Sequence, residues 1–355
     1  MNIGIYDPYL DDLGGGEKYM MTIASCLSKL HKVTVFWNNE KDFAAVKERF
    51  GLSVENVTVT KNIFASDFGF FKRLNATKQF DVIIFLSDGS IPLSLSNKLL
   101  IHIQQPLAQF QSRSLKDLFK LSRVSSFFCN SVYTKNFIDK KFHIKTSILY
   151  PPVDIQFKNV QKENIILHVG RFRVKNVSNG DYKKQGFMVE VFSKMVRDGL
   201  KNWKFVLATS FPKEAEKEFS LLQKRAEGFP IEFFVNKTNK ELWNLYNKSK
   251  IYWHASGFGE DLQKHPEYAE HFGISTVEAM GAGCVPVVIN AGGQKEIVTE
   301  GKNGLLWNTE EELITKTKQV ISNPGLMNTL AKEAKVRAGD FSKEKFCKSI
   351  HTLVL

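Results

Sequence analysis

The sequence predicts an α/β protein made of two doubly wound units, each a parallel sheet wrapped by helices. Three observations carry that prediction. Short apolar runs of strand length alternate with helical periodicity along the whole chain, the pattern of parallel sheets covered on both faces. The alternation breaks once, at Tyr150-Pro-Pro-Val-Asp154, where two prolines fix φ and disfavour helix before them. A length of 355 residues suits about two domains. The boundaries that follow are 1–153 and 154–338, with 339–355 a helical tail expected to pack back on the first domain.

Composition narrows the class. With 43% hydrophobic and 24% charged residues the chain reads as a soluble globular protein. No apolar run approaches the ~20 residues of a membrane span, and Met1 leads into a strand without a signal-peptide core. Cys26, Cys129, Cys284 and Cys347 show neither metal spacing nor scaffold density, so unpaired thiols in the cytoplasm are expected. The net charge of +12 and pI near 9.3 favour anionic partners beside a plain solvated lysine surface. No zinc-finger or RNA-recognition signature supports nucleic acid. Lys135, Lys140, Lys141 and Lys145 surround Phe137 and Phe142, which suits an interfacial helix on an anionic membrane surface.

In the first unit Asn2–Tyr6 is a strand, followed by Asp11-Asp-Leu-Gly-Gly-Gly-Glu17 and a helix carrying Met20, Met21, Ile23, Ala24, Leu27 and Leu30. Val33–Trp37 closes this βαβ opening. The glycine turn either lets backbone approach a ligand or is simply tight. It departs from G-x-G-x-x-G, so an NAD-linked oxidoreductase is weakly supported. Further strands are read at Asn56–Thr60, Asp81–Leu86, Leu99–Ile103, Ser126–Asn130 and Ser147–Tyr150, with helices at Phe43–Phe50 and Leu115–Leu121. Ligands of such sheets sit beyond the strands' carboxyl ends. There lie Ser87-Asp88-Gly89, His102 with Gln104 and Gln105, and Asn130-Ser131.

The second unit restarts the pattern. Strands fall at Ile165–Val169, Lys204–Ala208, Ile231–Val235, Ile251–His254, Val285–Ile289 and Gly304–Trp307. Helices fall at Phe187–Met195, Phe211–Glu227, Lys240–Lys248, Glu310–Val320, Met327–Ala338 and Lys343–Leu355. His168-Val-Gly-Arg171 ends the first strand, so Gly170 frees the backbone and Arg171 stands where a ligand phosphate would lie. Lys183 and Lys184 open the next helix after a polar loop (Lys175 to Asp181). Lysines there oppose the helix dipole unless an anion sits with them. Arginine and lysine together suit a phosphate, as a bidentate fork and a mobile charge.

The stretch from Glu270 to Ile289 reads as loop, helix, turn and buried strand. The free amides expected at Ile274, Ser275 and Thr276 make a phosphate site. Glu278, read in the helix's first turn, has two readings. Ser275-Thr-Val-Glu278 fits a capping box, and a carboxylate there also suits a ligand hydroxyl. Glu270 lies in a loop beside Phe272-Gly273, where no cap competes for it, after a long charged segment from Gly257 to Ala269. The turn Asn290-Ala-Gly-Gly-Gln-Lys-Glu296 offers amides to the same ligand or is a plain turn.

These residues resemble the retaining glycosyltransferases of family four, across nearly the whole chain. The resemblance rests on Gly14-Gly15-Gly16, Pro151-Pro-Val-Asp154, Val169-Gly-Arg171 with its lysines, and Glu270-x7-Glu278 with Phe272-Gly273 and Glu278-Ala-Met-Gly-Ala-Gly283. It implies the GT-B fold, two Rossmann-like domains facing across a cleft, an N-terminal one for the acceptor and a C-terminal one for the nucleotide sugar. It implies a metal-independent hexose transfer, with retained configuration and no cofactor, from a nucleoside diphosphate sugar to a glycan or lipid-linked acceptor. The context His265-Pro-Glu-Tyr-Ala-Glu-His-Phe-Gly273 is similar to mannosyl-type members, which points to GDP-mannose, while the basic charge and the family's habit imply surface polysaccharide or glycoconjugate synthesis. Implied catalytic residues are Glu270, Arg171, Lys184 and His102. Implied donor contacts are Gly15, Gly16, Gly170, Lys183, Phe272, Gly273, Ile274, Ser275, Thr276 and Glu278. The loop between arginine and lysine is longer than the family's, by Val174 to Tyr182, so either lysine suits the diphosphate. The flanks of His102 differ from the family's, and Asp88 is a rival polar group. A non-catalytic nucleotide-sugar or glycan-binding module on the same fold is the competing reading.

Overall fold

The computed structural model describes every residue except 13, 55, 108–114, 173–180 and 182, and the side chains at 47, 49 and 116. The loop extension read at 174–182 therefore lies outside the described residues, Asp181 apart. The chain divides into two units, Met1–Pro152 with Lys343–Leu355, and Val153–Ser342.

The first unit runs β1 (Asn2–Tyr6), α1 (Gly15–Leu27), β2 (Lys32–Phe36), α2 (Glu40–Phe50), β3 (Val57–Thr60), α3 (Phe70–Thr77), β4 (Val82–Leu86), β5 (Lys98–Ile103), α4 (Leu115–Ser122), β6 (Ser126–Cys129), α5 (Val132–Phe142) and β7 (Thr146–Ile148). Its strands are parallel, in the order β3-β2-β1-β4-β5-β6-β7. Because successive side chains alternate faces, the same strands feed two cores. Val82, Ile84, Leu86 and Leu100 pack with Met20, Ile23 and Leu27 of α1 on one face. Ile83, Phe85, Ile101 and Ile103 pack with Ala76 of α3, Leu121 of α4 and Phe137 of α5 on the other.

The second unit runs β8 (Glu163–Val169), α6 (Gln185–Arg197), β9 (Lys204–Thr209), α7 (Glu216–Ala226), β10 (Ile231–Val235), α8 (Asn239–Lys248), β11 (Ser249–His254), α9 (Ile274–Gly281), β12 (Val285–Ile289), α10 (Gln294–Ile297), β13 (Leu305–Trp307), α11 (Glu310–Ser322) and α12 (Pro324–Ala338). Its strands are also parallel, in the order β10-β9-β8-β11-β12-β13. The order reverses at β8, between β9 and β11, as it does at β1 between β2 and β4. Ligand crevices of open parallel sheets form at such reversals, beyond the carboxyl ends.

A last helix, α13 (Lys343–Val354), belongs to the first unit. Phe346, Ile350 and Val354, four residues apart, form one stripe and join the α1 core. The cysteine expectation needs correction, since Cys26 of α1 is disulfide-bonded to Cys347 of α13 across 321 residues while Cys129 and Cys284 stay free and buried. That separation carries no spacing signal, because the pairing comes from tertiary packing of α13 on α1.

Other departures have local causes. The helix read from Phe211 begins at Glu216, after Pro212 and a 3-10 turn at Lys213–Ala215. The polar turn at 290–296 contains the short α10. Among the described residues no helix is long and apolar enough to cross a membrane.

Candidate active site

The second unit's crevice begins at the end of β8. Beyond Val169 the chain keeps pairing with β9, through Gly170 N–H to Ala208 O at 3.1 Å and Phe172 N–H to Ser210 O at 2.8 Å. Phe172 is buried in the core, so strand alternation leaves the residue before it, Arg171, exposed at the carboxyl edge. The carbonyl of Gly170 accepts from Thr209 Oγ1 at 2.8 Å and Gln185 Nε2 at 2.9 Å, which ties this strand end to the start of α6.

The two lysines stand at that helix start, and the structure supplies their anions from the protein itself. Lys184 is the N-cap, with a left-handed φ of 56°. Asp181 accepts hydrogen bonds from the backbone at Gly186 and Gln185, and burial pushes its carboxyl up to about 6. Lys184 pairs with Glu260, from the charged segment after β11. Lys183 Nζ donates to Glu270 Oε2 at 2.7 Å. The dipole conflict read from the sequence is thus resolved by Glu260 and Glu270 before any ligand arrives.

Glu270 has a second partner. His254, at the end of β11, lies with Nε2 3.1 Å from the same oxygen, Glu270 Oε2. Burial lowers the His254 pKa, so the ring is neutral near pH 7, and a carboxylate partner requires its proton on Nε2. Nδ1 then accepts from Ser256 N–H at 3.4 Å. Burial alone would raise the Glu270 pKa, but the Lys183 charge and the His254 hydrogen bond outweigh it and hold the carboxyl well below 4.5. Both donors meet Oε2, and Oε1 takes neither of them. Glu270 is fixed as an anion, with both of these donors on one oxygen.

The loop around Glu270 is braced from below. Gly293 N–H donates to Glu270 O at 2.7 Å. A Cβ at Gly292 would collide with the Glu270 carbonyl, and one at Gly293 with the Phe272 backbone. The two glycines let the 290–293 turn pack directly on the glutamate loop, and the amide of Gly293 serves that loop. Phe272 is buried with its ring edge-on to Phe341 at 5.2 Å. Gly273 has φ 117° and is the N-cap of α9, with no side chain capping it.

That start corrects the position of Glu278. Since α9 opens at Ile274, Glu278 falls in the second turn, and Ser275, inside the helix, is not a cap. The S-x-x-E spacing recurs inside any helix, and here each member has another partner. Tyr246 O–H donates to Glu278 Oε2 at 2.9 Å. Tyr252 O–H lies 2.8 Å from Ser275 Oγ and 3.3 Å from Val169 O, linking the start of α9 to the end of β8. Both tyrosines are buried, which raises their pKa values and keeps them as donors. Thr276 is buried, with Oγ1 lacking a hydrogen-bond partner among the described residues.

The remaining candidates belong to the first unit. Gly15 and Gly16 are the first residues of α1 rather than a loop. A Cβ at Gly16 would sit 2.5 Å from Gln104 Oε1, so the glycine admits that amide. His102 is fully buried, stacked between Tyr19 and Phe128 at 4.5 and 4.7 Å. Burial lowers its pKa to about 3, and Nε2 has no hydrogen-bond partner among the described residues. Asp88 is exposed and accepts from Ser90.

Residues 153–337, just over half of the chain, match the family described as "Glycosyl transferases group 1". The chain belongs to that family.

Among curated relatives of this group 1 member is the GDP-Man:Man(3)GlcNAc(2)-PP-Dol alpha-1,2-mannosyltransferase of Dictyostelium discoideum, 26% identical over 235 residues, or 61% of this chain and 44% of the relative. The Xenopus laevis protein of the same name is 27% identical over 57% of this chain and 42% of its own. The chain therefore spans less than half the length of these two relatives. A relative of equal extent is the GalNAc-alpha-(1->4)-GalNAc-alpha-(1->3)-diNAcBac-PP-undecaprenol alpha-1,4-N-acetyl-D-galactosaminyltransferase of Campylobacter jejuni, 24% identical over 95% of each chain. Among solved structures, Anabaena HepE in complex with UDP matches at TM-score 0.74 and 18% identity over 99% of each chain. Sucrose-phosphate synthase of Thermosynechococcus elongatus matches at 0.69 and 15% identity, over 99% of this chain and 98% of the other. At such identity the likeness is one of fold, and the fold is GT-B.

Five residues that contact or adjoin the candidates of this group 1 member were not singled out from the sequence: His254, Tyr246, Tyr252, Asp181 and Glu260. His254 left one signal, a polar residue ending an otherwise apolar strand. The tyrosines sit at core positions of α8 and β11, where an aromatic reads as packing and its hydroxyl is invisible.

Proposed function

We propose that the protein is a retaining hexosyltransferase, moving a sugar from a nucleoside diphosphate donor to a hydroxyl of a lipid-linked glycan. The observation that carries this reading is the Glu270 carboxylate, held on Oε2 by Lys183 and His254, and Oε1 is the oxygen assigned to a sugar hydroxyl. Glu278, fixed by Tyr246, is the matching seat for the nucleotide ribose. Arg171, the α9 amides and a lysine released from its carboxylate meet the diphosphate, whose charge grows as the glycosidic bond breaks. Transfer on the front face needs no protein nucleophile, and the departing phosphate takes the acceptor proton. The charge is met by these residues without a metal, so a chelator leaves the rate unchanged.

GDP-mannose is the proposed donor, supported by the names of the mannosyl relatives. The acceptor class is supported by the lipid-linked glycans in the relatives' names. The UDP-bound fold neighbours make UDP-sugars the comparison arm.

The test is nucleotide release from a panel of GDP-, UDP- and dTDP-sugars. Slow release from GDP-mannose by the wild type, reduced about a hundredfold or more in Glu270→Gln, is expected. Tight donor binding with no turnover on any donor would instead indicate a binding module.

A further inference from the structure

The first unit carries an apolar surface that neither its core nor the proposed site uses. On α4, Leu115, Leu118 and Phe119 are 86%, 52% and 56% exposed. They stand at i, i+3 and i+4 and so share one side of the helix. Asp117 and Leu121 point the other way, Asp117 buried and Leu121 against the sheet. A helix of a globular domain turns its apolar stripe inward, and α4 turns one outward. On α3, Phe70 and Phe71 are 53% and 83% exposed, with rings 5.4 Å apart.

The two helices cover the same face of the sheet, since Ala76 of α3 and Leu121 of α4 pack into one core with Ile83, Phe85, Ile101 and Ile103. Helices of parallel sheets run back from the strands' carboxyl ends, so the first turns of α3 and α4 adjoin the ligand edge. Phe70, Phe71 and Leu115 lie in those turns.

The charge around this face selects its occupant. Residues 57–150 hold thirteen Lys and Arg against five Asp and Glu, or +8 of the chain's +12. Lys72, Lys78, Lys140, Lys141 and Lys145 are exposed. Phe137 and Phe142, expected to insert from α5, are instead half-buried against the core. The α5 lysines therefore lack an apolar wedge of their own, and α3 and α4 supply it.

We propose that the outward faces of α3 and α4 dock the first unit on an anionic phospholipid bilayer. Phe70, Phe71, Leu115, Leu118 and Phe119 enter the interface, and the lysines of α3 and α5 meet the headgroups. Docking sets the sheet's carboxyl edge beside a lipid-linked acceptor, a purpose that rests on the function proposed above.

The test is co-sedimentation of the full chain with phosphatidylcholine vesicles, with and without phosphatidylglycerol. Binding is expected to the anionic vesicles and to weaken with salt. The combined substitution Phe71→Ser, Leu118→Ser and Phe119→Ser lowers that partition by about tenfold or more, at unchanged thermal midpoint. Nucleotide release with water or a soluble acceptor stays at the wild-type rate in this variant. A wild type that remains in the supernatant, or a variant that binds as well, overturns docking. So does a wild-type dimer in sedimentation velocity that the variant abolishes, which would make the face a contact between copies. Failure of the donor panel leaves the vesicle result readable, so the two proposals fail separately.

Discussion

The carboxyl edges of the two sheets differ in how they pair charge. In the second unit Glu270 is paired with Lys183 and His254 and Lys184 with Glu260, and Tyr246 donates to Glu278. In the first unit two buried groups at that edge are shifted towards their uncharged forms. His102 is lowered to about 3, and Asp7, beyond β1, is raised to about 7, chiefly by burial in both cases. His102 Nε2 and Asp7 Oδ2 lack hydrogen-bond partners among the described residues. The second edge pairs charges, as a diphosphate site does, although it also holds His168, a buried ring lowered to about 3 much as the first edge holds His102.

The largest effect expected from this contrast is on stability. Asp7 has a folded pKa of about 7 against 3.8 unperturbed. The folded chain thus holds this proton more tightly; the stabilisation is full below the lower value and lost as pH rises through the higher. Asp7→Asn removes the titration, so above about pH 8 it should exceed the wild type by up to on the order of 4 kcal/mol in urea unfolding. The gap should close on acidification towards about pH 4. A gap that does not change with pH would show that Asp7 is not held neutral.

Next in size, Arg171→Ala should lower donor-dependent nucleotide release by at least about tenfold, roughly 1.4 kcal/mol, by removing a charge-assisted contact. An unchanged rate would remove Arg171 from the diphosphate site. The smallest effect is that of Tyr246→Phe, which leaves the ring in place and removes its hydrogen bond to Glu278. A rise of about fivefold in donor KM, near 1 kcal/mol, with little change in kcat is expected. A fall confined to kcat would place Glu278 away from the ribose.

The strands were legible because buried parallel strands are runs of apolar residues, as in Val82–Leu86 and Val285–Ile289. Helix α3 was not, since Phe70 and Phe71 face outward and break the inward periodicity that marks a helix. Glu270 and Arg171 could be picked out because loop glycines and a strand end set them apart. The groups that hold them could not. His254 lies 16 residues from Glu270 and Lys183 lies 87 away, and only the strand order β8-β11-β12 brings their elements together. The same limit hid the Cys26–Cys347 pair. Glu278 was ambiguous for a different reason: a capping box and a helix-interior carboxylate share one spacing, and the positive φ of Gly273 decides between them.

The most direct test of the matched-charge centre is a double-mutant cycle on donor-dependent nucleotide release, with His254→Phe, Glu270→Gln and both together. If His254 acts by fixing the Glu270 carboxylate, His254→Phe alone is slow, and adding it to Glu270→Gln changes little, a coupling of about 1 kcal/mol or more. Losses that multiply, or a His254→Phe variant at the wild-type rate, would contradict the account.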